Sequence, residues 1–154
     1  MGVIYSGGVA AVAITAAQDV FEIVAPTTHI IEIREVRIGQ YSDAGDAQAE
    51  LLSVQIIRGY TVSGSGGSTP TLYTPQGAGA PAGTYEANNT TVANTGTAKI
   101  MLADSFNVAG GWWYRPPAEE RIAIQPGERC VVRITAPADS LTTNATLVVE
   151  EHRI

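Results

Sequence analysis

Charge, cysteine, histidine and lysine are all scarce in this 154-residue chain, and each scarcity removes a class of function. A single cysteine, Cys130, excludes an intrachain disulfide framework and a multi-cysteine zinc site. Its place in the apolar run Cys130-Val131-Val132 reads as a buried, inert thiol and not as a nucleophile. Two histidines, His29 and His152, are too few for the clustered His-plus-carboxylate metal sites found in β-barrel oxygenases and their relatives. Lys99 is the one lysine, the arginines are scattered singly and the net charge is −6, so no electropositive stripe for nucleic acid exists. No run approaches the roughly 20 apolar residues that span a bilayer. The short apolar stretch from Val9 to Ala17 lacks the preceding positive charge of a signal peptide. A soluble, non-secreted protein is expected, with no nucleic-acid partner, no membrane partner, no cofactor and no metal.

What the chain does contain is 45% hydrophobic residues set among Gly, Pro, Ser, Thr and Asn, with charged residues at only 16%. That mixture suits short strands joined by turns, in one domain large enough to bury its own core. Residues 1–18 are small, apolar and uncharged, and read as an extended N-terminal arm that packs on its own domain or adds a strand to a neighbour. A β-sandwich domain is expected over 19–154. Phe21 and Ile23 alternate with Glu22 before Pro26. A longer run from His29 to Gln40 changes phase: Ile31 and Ile33 share one face, Val36 and Ile38 the other, which implies a bulge at Arg34-Glu35 or burial on both faces. After the turn cluster Ser42 to Asp46, with a short helical turn possible at 47–51, Leu52, Val54 and Ile56 alternate as a strand. Residues 63–97 are rich in Gly and Pro and poor in Lys and Glu, and are expected to form a long ordered loop held by contacts.

Strand signals return at Lys99 to Ala103, then at the aromatic cluster Trp112-Trp113-Tyr114. Arg121 to Ile124 and Arg129 to Ile134 flank Gln125-Pro126-Gly127-Glu128, a type II turn, and are expected to pair as a hairpin. Thr146 to Glu151 closes the domain. Seven or eight strands with uneven connections make an all-β, single-domain Greek-key or jelly-roll-like sandwich the expected architecture.

The catalytic motifs fail one by one. No Gly-x-Ser-x-Gly elbow precedes a helix. Glu119-Glu120 and Glu150-Glu151 are adjacent carboxylates whose side chains would point to opposite faces of a strand, which makes neither a glycosidase pair. Asp43 and Asp46 lack the remaining ligands of a calcium loop. Gly64, Gly66 and Gly67 lack the Lys-Ser/Thr of a phosphate loop. The expectation is therefore a protein that is not an enzyme. The Trp112 to Tyr114 cluster can serve as core plug, interface anchor or sugar platform, and two consecutive tryptophans place one inward and one outward.

Several short motifs, taken in order, carry a resemblance. Arg37-Ile38-Gly39-Gln40 leads into Ser42 to Glu50, then Ile57-Arg58-Gly59, Gly64 to Pro70, Glu86 to Thr91, Phe106-Asn107-Val108, Pro117 to Arg121 and Pro126 to Arg129. This order resembles small proteins of tailed bacteriophages and prophages, of the capsid decoration, or cement, type. The resemblance implies a jelly-roll-like structural protein on the outer face of the head shell, with the major capsid protein as partner, association as a homotrimer, and residence in the host cytoplasm before assembly. Its expected capsid or oligomer contacts are Val3, Ile4, Tyr5, Val9, Val12 and Ile14 in the arm, which would act as a clamp, Tyr73 and Tyr85 in the long loop, and Trp112, Trp113, Tyr114 and Arg115. The alternative is a carbohydrate-binding or host-attachment module of a phage fibre or baseplate that uses the exposed aromatics.

Overall fold

The computed structural model describes residues 2–41, 50–77, 79–138 and 140–154. The expected turn at 42–46, its two aspartates, and most of the possible helical turn at 47–51 lie outside the described residues.

Among the described residues ten strands carry the fold: β1 (Val3–Ile14), β2 (Gln18–Val24), β3 (His29–Gln40), β4 (Leu51–Tyr60), β5 (Thr84–Asn89), β6 (Gly96–Asn107), β7 (Trp112–Tyr114), β8 (Ala123–Ile124), β9 (Arg129–Ile134) and β10 (Leu141–Arg153). One sheet runs β1-β10-β3-β7, with β8 also on β3; the other runs β5-β2-β9-β4-β6. Every pairing is antiparallel, and the pairs are nested: β1 with β10, β2 with β9, β3 with β7 and β8, β4 with β6. A long antiparallel ribbon rolled into two facing sheets has this nesting, which makes the domain a jelly roll with β5 as an added strand.

The core lies between the sheets, where alternate residues of each strand meet. Phe21, Ile23, Ile31, Ile33, Val54, Ile56, Val132, Ile134, Leu147 and Val149 are fully enclosed there. In β3 the pairing skips Arg34, because Val148 faces Glu35 and Val149 faces Ile33. This bulge lets Ile31, Ile33, Val36 and Ile38 all enter one core despite their change of phase.

Residues 3–14, expected in an arm, form β1 and are zipped to β10 along their length, with a bulge between Val9 and Val12 where Ala11 takes φ +57° and donates its N–H to Asn144 Oδ1. The turn at 125–128 is present, with Glu128 N–H donated to Gln125 O at 2.9 Å and Gly127 at φ +76°. The expected hairpin is not. β8 pairs with β3 and β9 with β2 and β4, so the turn carries the chain from one sheet to the other. A jelly roll requires that crossing, since local pairing of β8 with β9 would break the nesting.

Candidate interaction surface

Three buried carboxylates organise the described residues of the stretch 63–97. Glu22 receives Arg129 Nε at 2.5 Å, Ser63 Oγ at 2.7 Å, Gly64 N at 3.0 Å and Asn89 Nδ2 at 3.0 Å. Asp19 receives Arg133 Nε at 2.6 Å and Nη2 at 3.1 Å, and Ala93 N at 2.8 Å. Burial pushes the Asp19 carboxyl above its ordinary range, against the opposing pull of Arg133 and the Ala93 N–H. Glu151 accepts from Ala82 N, Gly83 N and the Tyr85 hydroxyl at 2.7–2.9 Å. Each acid satisfies backbone donors that a loop would otherwise leave unpaired. The result is an ordered excursion that contains β5.

The same excursion protects two sheet edges. Ser65 and Ser68 bridge to Thr91 and Ala87 beside β5, while Ser6 of β1 exchanges two 2.8 Å backbone hydrogen bonds with Tyr73. On the far side of the second sheet, β6 is a twelve-residue edge strand paired only to β4 among the described residues. Most of its side chains stand in solvent, with Ile100 57% and Met101 46% exposed. Lys99, Asp104 and the two shifts in register against β4, at Ile56/Ile57 and Arg58/Tyr60, interrupt that edge, but among the described residues no segment pairs with it.

On the outer face of the first sheet, β7 splits its two tryptophans. Trp112 packs inward, stacked on Tyr114 with ring centroids 6.1 Å apart, and donates its indole N–H to Asp104 at 3.0 Å. That bond holds the Asp104 carboxyl below its usual range. Trp113 points out and is 61% exposed, with the Arg115 guanidinium 5.9 Å from its ring centre. Beside it runs a trough of ≈ 390 Å³ lined by Arg37, Gly39, Gln40, Gly110, Gly111, Trp113, Asn144 and Thr146, among others.

The structure divides the expected contact residues. Tyr5, Ile14, Tyr85 and Trp112 are core residues and not surface contacts: each points between the sheets or against the excursion and is at most 7% exposed. Val3, Val9 and Tyr114 are half-buried against the core, and Ile4 and Val12 are half-buried on β1. Because β1 contributes Tyr5 and Ile14 to the core, it is an integral strand and not a free clamp. Tyr73, Trp113 and Arg115 remain on the surface. The sequence reading gave Asp19 and Glu22 no role and took Glu151 only as one of an adjacent carboxylate pair, although acids inside apolar strands were the signal, and it missed the β6 edge, whose small and polar residues hide its length.

Of the chemistry-bearing residues, Glu32, Glu150 and His152 bring ligand-type atoms within 4.8 Å of one another. Arg34 is ion-paired to Glu150, and Arg121 reaches Glu32 at 3.4 Å and Glu150 at 3.7 Å, so the carboxylates already have cationic partners. Glu150 and Glu151 do face opposite ways, the first toward these arginines and the second toward Tyr85. Burial raises the Cys130 thiol to about 12, the property of a structural cysteine.

No family model and no curated protein matches the chain. Among solved structures, a chain from a single-particle analysis of maize chlorotic mottle virus aligns with 13% identity over 99% of this chain and 95% of that one. Its TM-score is 0.25, and a likeness of that degree carries no argument about fold or function.

Proposed function

We propose that this chain is a structural virion protein that binds the outside of a tailed-phage capsid shell and stabilises it. The observation that carries the reading is the outer edge of β6, a long row of backbone donors and acceptors bordered by exposed Ile100 and Met101. The 63–77 segment bridges to β1 and β5, whereas among the described residues nothing pairs with the outer edge of β6. An edge of that kind takes an extended segment of another chain as an added strand, with main-chain bonds for affinity and side chains for register. The ordered motif resemblance to decoration proteins supplies the partner, the major capsid protein.

In this account the protein acts through contact area and not through chemistry. Whatever binds only the assembled shell stabilises it by mass action. As a homotrimer the protein would engage several shell subunits at once, so that weak single-edge contacts gain from effective concentration. It would reside in the host cytoplasm before assembly and on the capsid surface afterwards. Exposed Tyr73 is a further contact, since aromatic residues anchor interfaces.

The test is a double substitution, Ile100→Lys with Met101→Lys, which charges the edge without touching the core. Binding to empty heads should fall at least tenfold while the melting temperature stays within a few degrees of the parent. Full-affinity binding by the folded double variant would remove the β6 edge from the account.

A further inference from the structure

We infer that the trough over Gly39 is a saccharide-binding site, an inference that stands independently of the capsid reading. Register places its walls. Thr146 of β10 lies directly opposite Arg37 of β3, and Arg37 opposite Trp113 of β7, so a hydroxyl, a guanidinium and an indole form one row across three strands of the outer face. In the next row Asn144 lies opposite Gly39. The Asn144 Oδ1 is held by the Ala11 N–H at 2.9 Å, which fixes the amide and offers its NH₂ group as donor.

Gly39 is the observation that points to a ligand. A glycine inside a strand costs stability, and such glycines commonly mark a bulge or a place where something must come close to the backbone. Here neither φ nor packing demands it. Gly39 is not among the residues with positive φ, and a Cβ placed on it meets no atom within 4 Å. The fold would accept a side chain there, and the sequence keeps the floor bare.

The chemistry of the walls selects the ligand class. An exposed indole gives a flat apolar platform for the C–H face of a pyranose ring, and Arg115 over the indole steadies it. Arg37, Asn144 and Thr146 supply hydrogen-bonding groups at the rim, matched to sugar hydroxyls. Arg37 is itself paired to Glu35 at 2.7 Å, which lowers its pull on an anionic polymer. The volume of ≈ 390 Å³ is inside the roughly 300–1,000 Å³ of small-ligand sites and fits a mono- or disaccharide unit.

The experiment uses an array of oligosaccharides of glucose, galactose, mannose and N-acetylglucosamine, probed with the whole protein, Gly39→Val and Trp113→Ala. Retention of at least one oligosaccharide is expected, with signal at least tenfold lower in both variants and melting temperatures unchanged. Tryptophan fluorescence should shift on titration with the retained sugar. No retention of any member, or retention undiminished in folded Gly39→Val and Trp113→Ala, would overturn the site. Ile100→Lys with Met101→Lys should leave sugar retention intact and Gly39→Val should leave head binding intact, so failure of either reading is visible separately.

Discussion

Asp19→Ala offers the sharpest test of how the long excursion is held. In the parent, the carboxylate takes two hydrogen bonds from Arg133 and one from the Ala93 N–H, and its side chain has no solvent exposure. Removal strands a guanidinium that is only 18% exposed, together with a backbone donor. Breaking one side of a buried pair costs roughly 3–5 kcal/mol. Arg133 keeps the Ala93 carbonyl at 2.5 Å and the Tyr60 hydroxyl at 3.2 Å, which places the expected loss near the lower end, about 3 kcal/mol. Urea unfolding measures that loss, and limited proteolysis should show new cleavage between Thr91 and Thr95. Replacing both partners, Asp19→Leu with Arg133→Met, should cost clearly less than the single substitution, because no buried charge is left alone. A single-variant loss below about 1 kcal/mol, with an unchanged digestion pattern, would refute the view that the ion pair pins the loop.

Three other outcomes follow from the packing of single side chains. Trp112→Ala should cost about 3–5 kcal/mol and Trp113→Ala less than about 0.5 kcal/mol in urea titrations, since one indole is enclosed and the other is in solvent. Gly127→Ala should cost about 1 kcal/mol, the strain of a positive φ in open space, and Gly59→Ala more than twice that, because its added Cβ would also collide with the Thr97 carbonyl. Cys130 should react with a disulfide reagent only at the rate of global opening. Burial lifts its folded pKa to about 12, well above that of an ordinary thiol, so the native state holds the proton longer than the unfolded chain. The thiol's contribution to stability is present below pH 9 and is lost as pH rises toward 12, which unfolding curves across that window would register.

Much of the fold is legible in the sequence because it rests on local rules. The phase change across Arg34-Glu35 announces a bulge, and the Pro126-Gly127 pair announces a turn with its glycine at positive φ. Adjacent tryptophans on a strand must face opposite ways, and they do. What local rules do not contain is partner choice. The flanks of a tight turn read as a hairpin, yet here the nested pairing of the whole ribbon sends β8 and β9 to different sheets. β5 escapes notice because Glu86, Asn88 and Asn89 look like loop residues until Glu22 and β2 are beside them. The trough was half visible. Trp113 marks itself as a candidate, but that Gly39 is a floor and not a turn depends on the register of three strands.

The central claim, a structural protein of the virion exterior, is tested most directly by sedimenting phage particles on a density gradient and measuring this chain against the major shell protein. The account predicts that the chain comigrates with intact and empty heads at a fixed stoichiometry and is lost from them after Ile100→Lys with Met101→Lys. Its absence from purified particles, with the protein abundant in the lysate, would contradict the account.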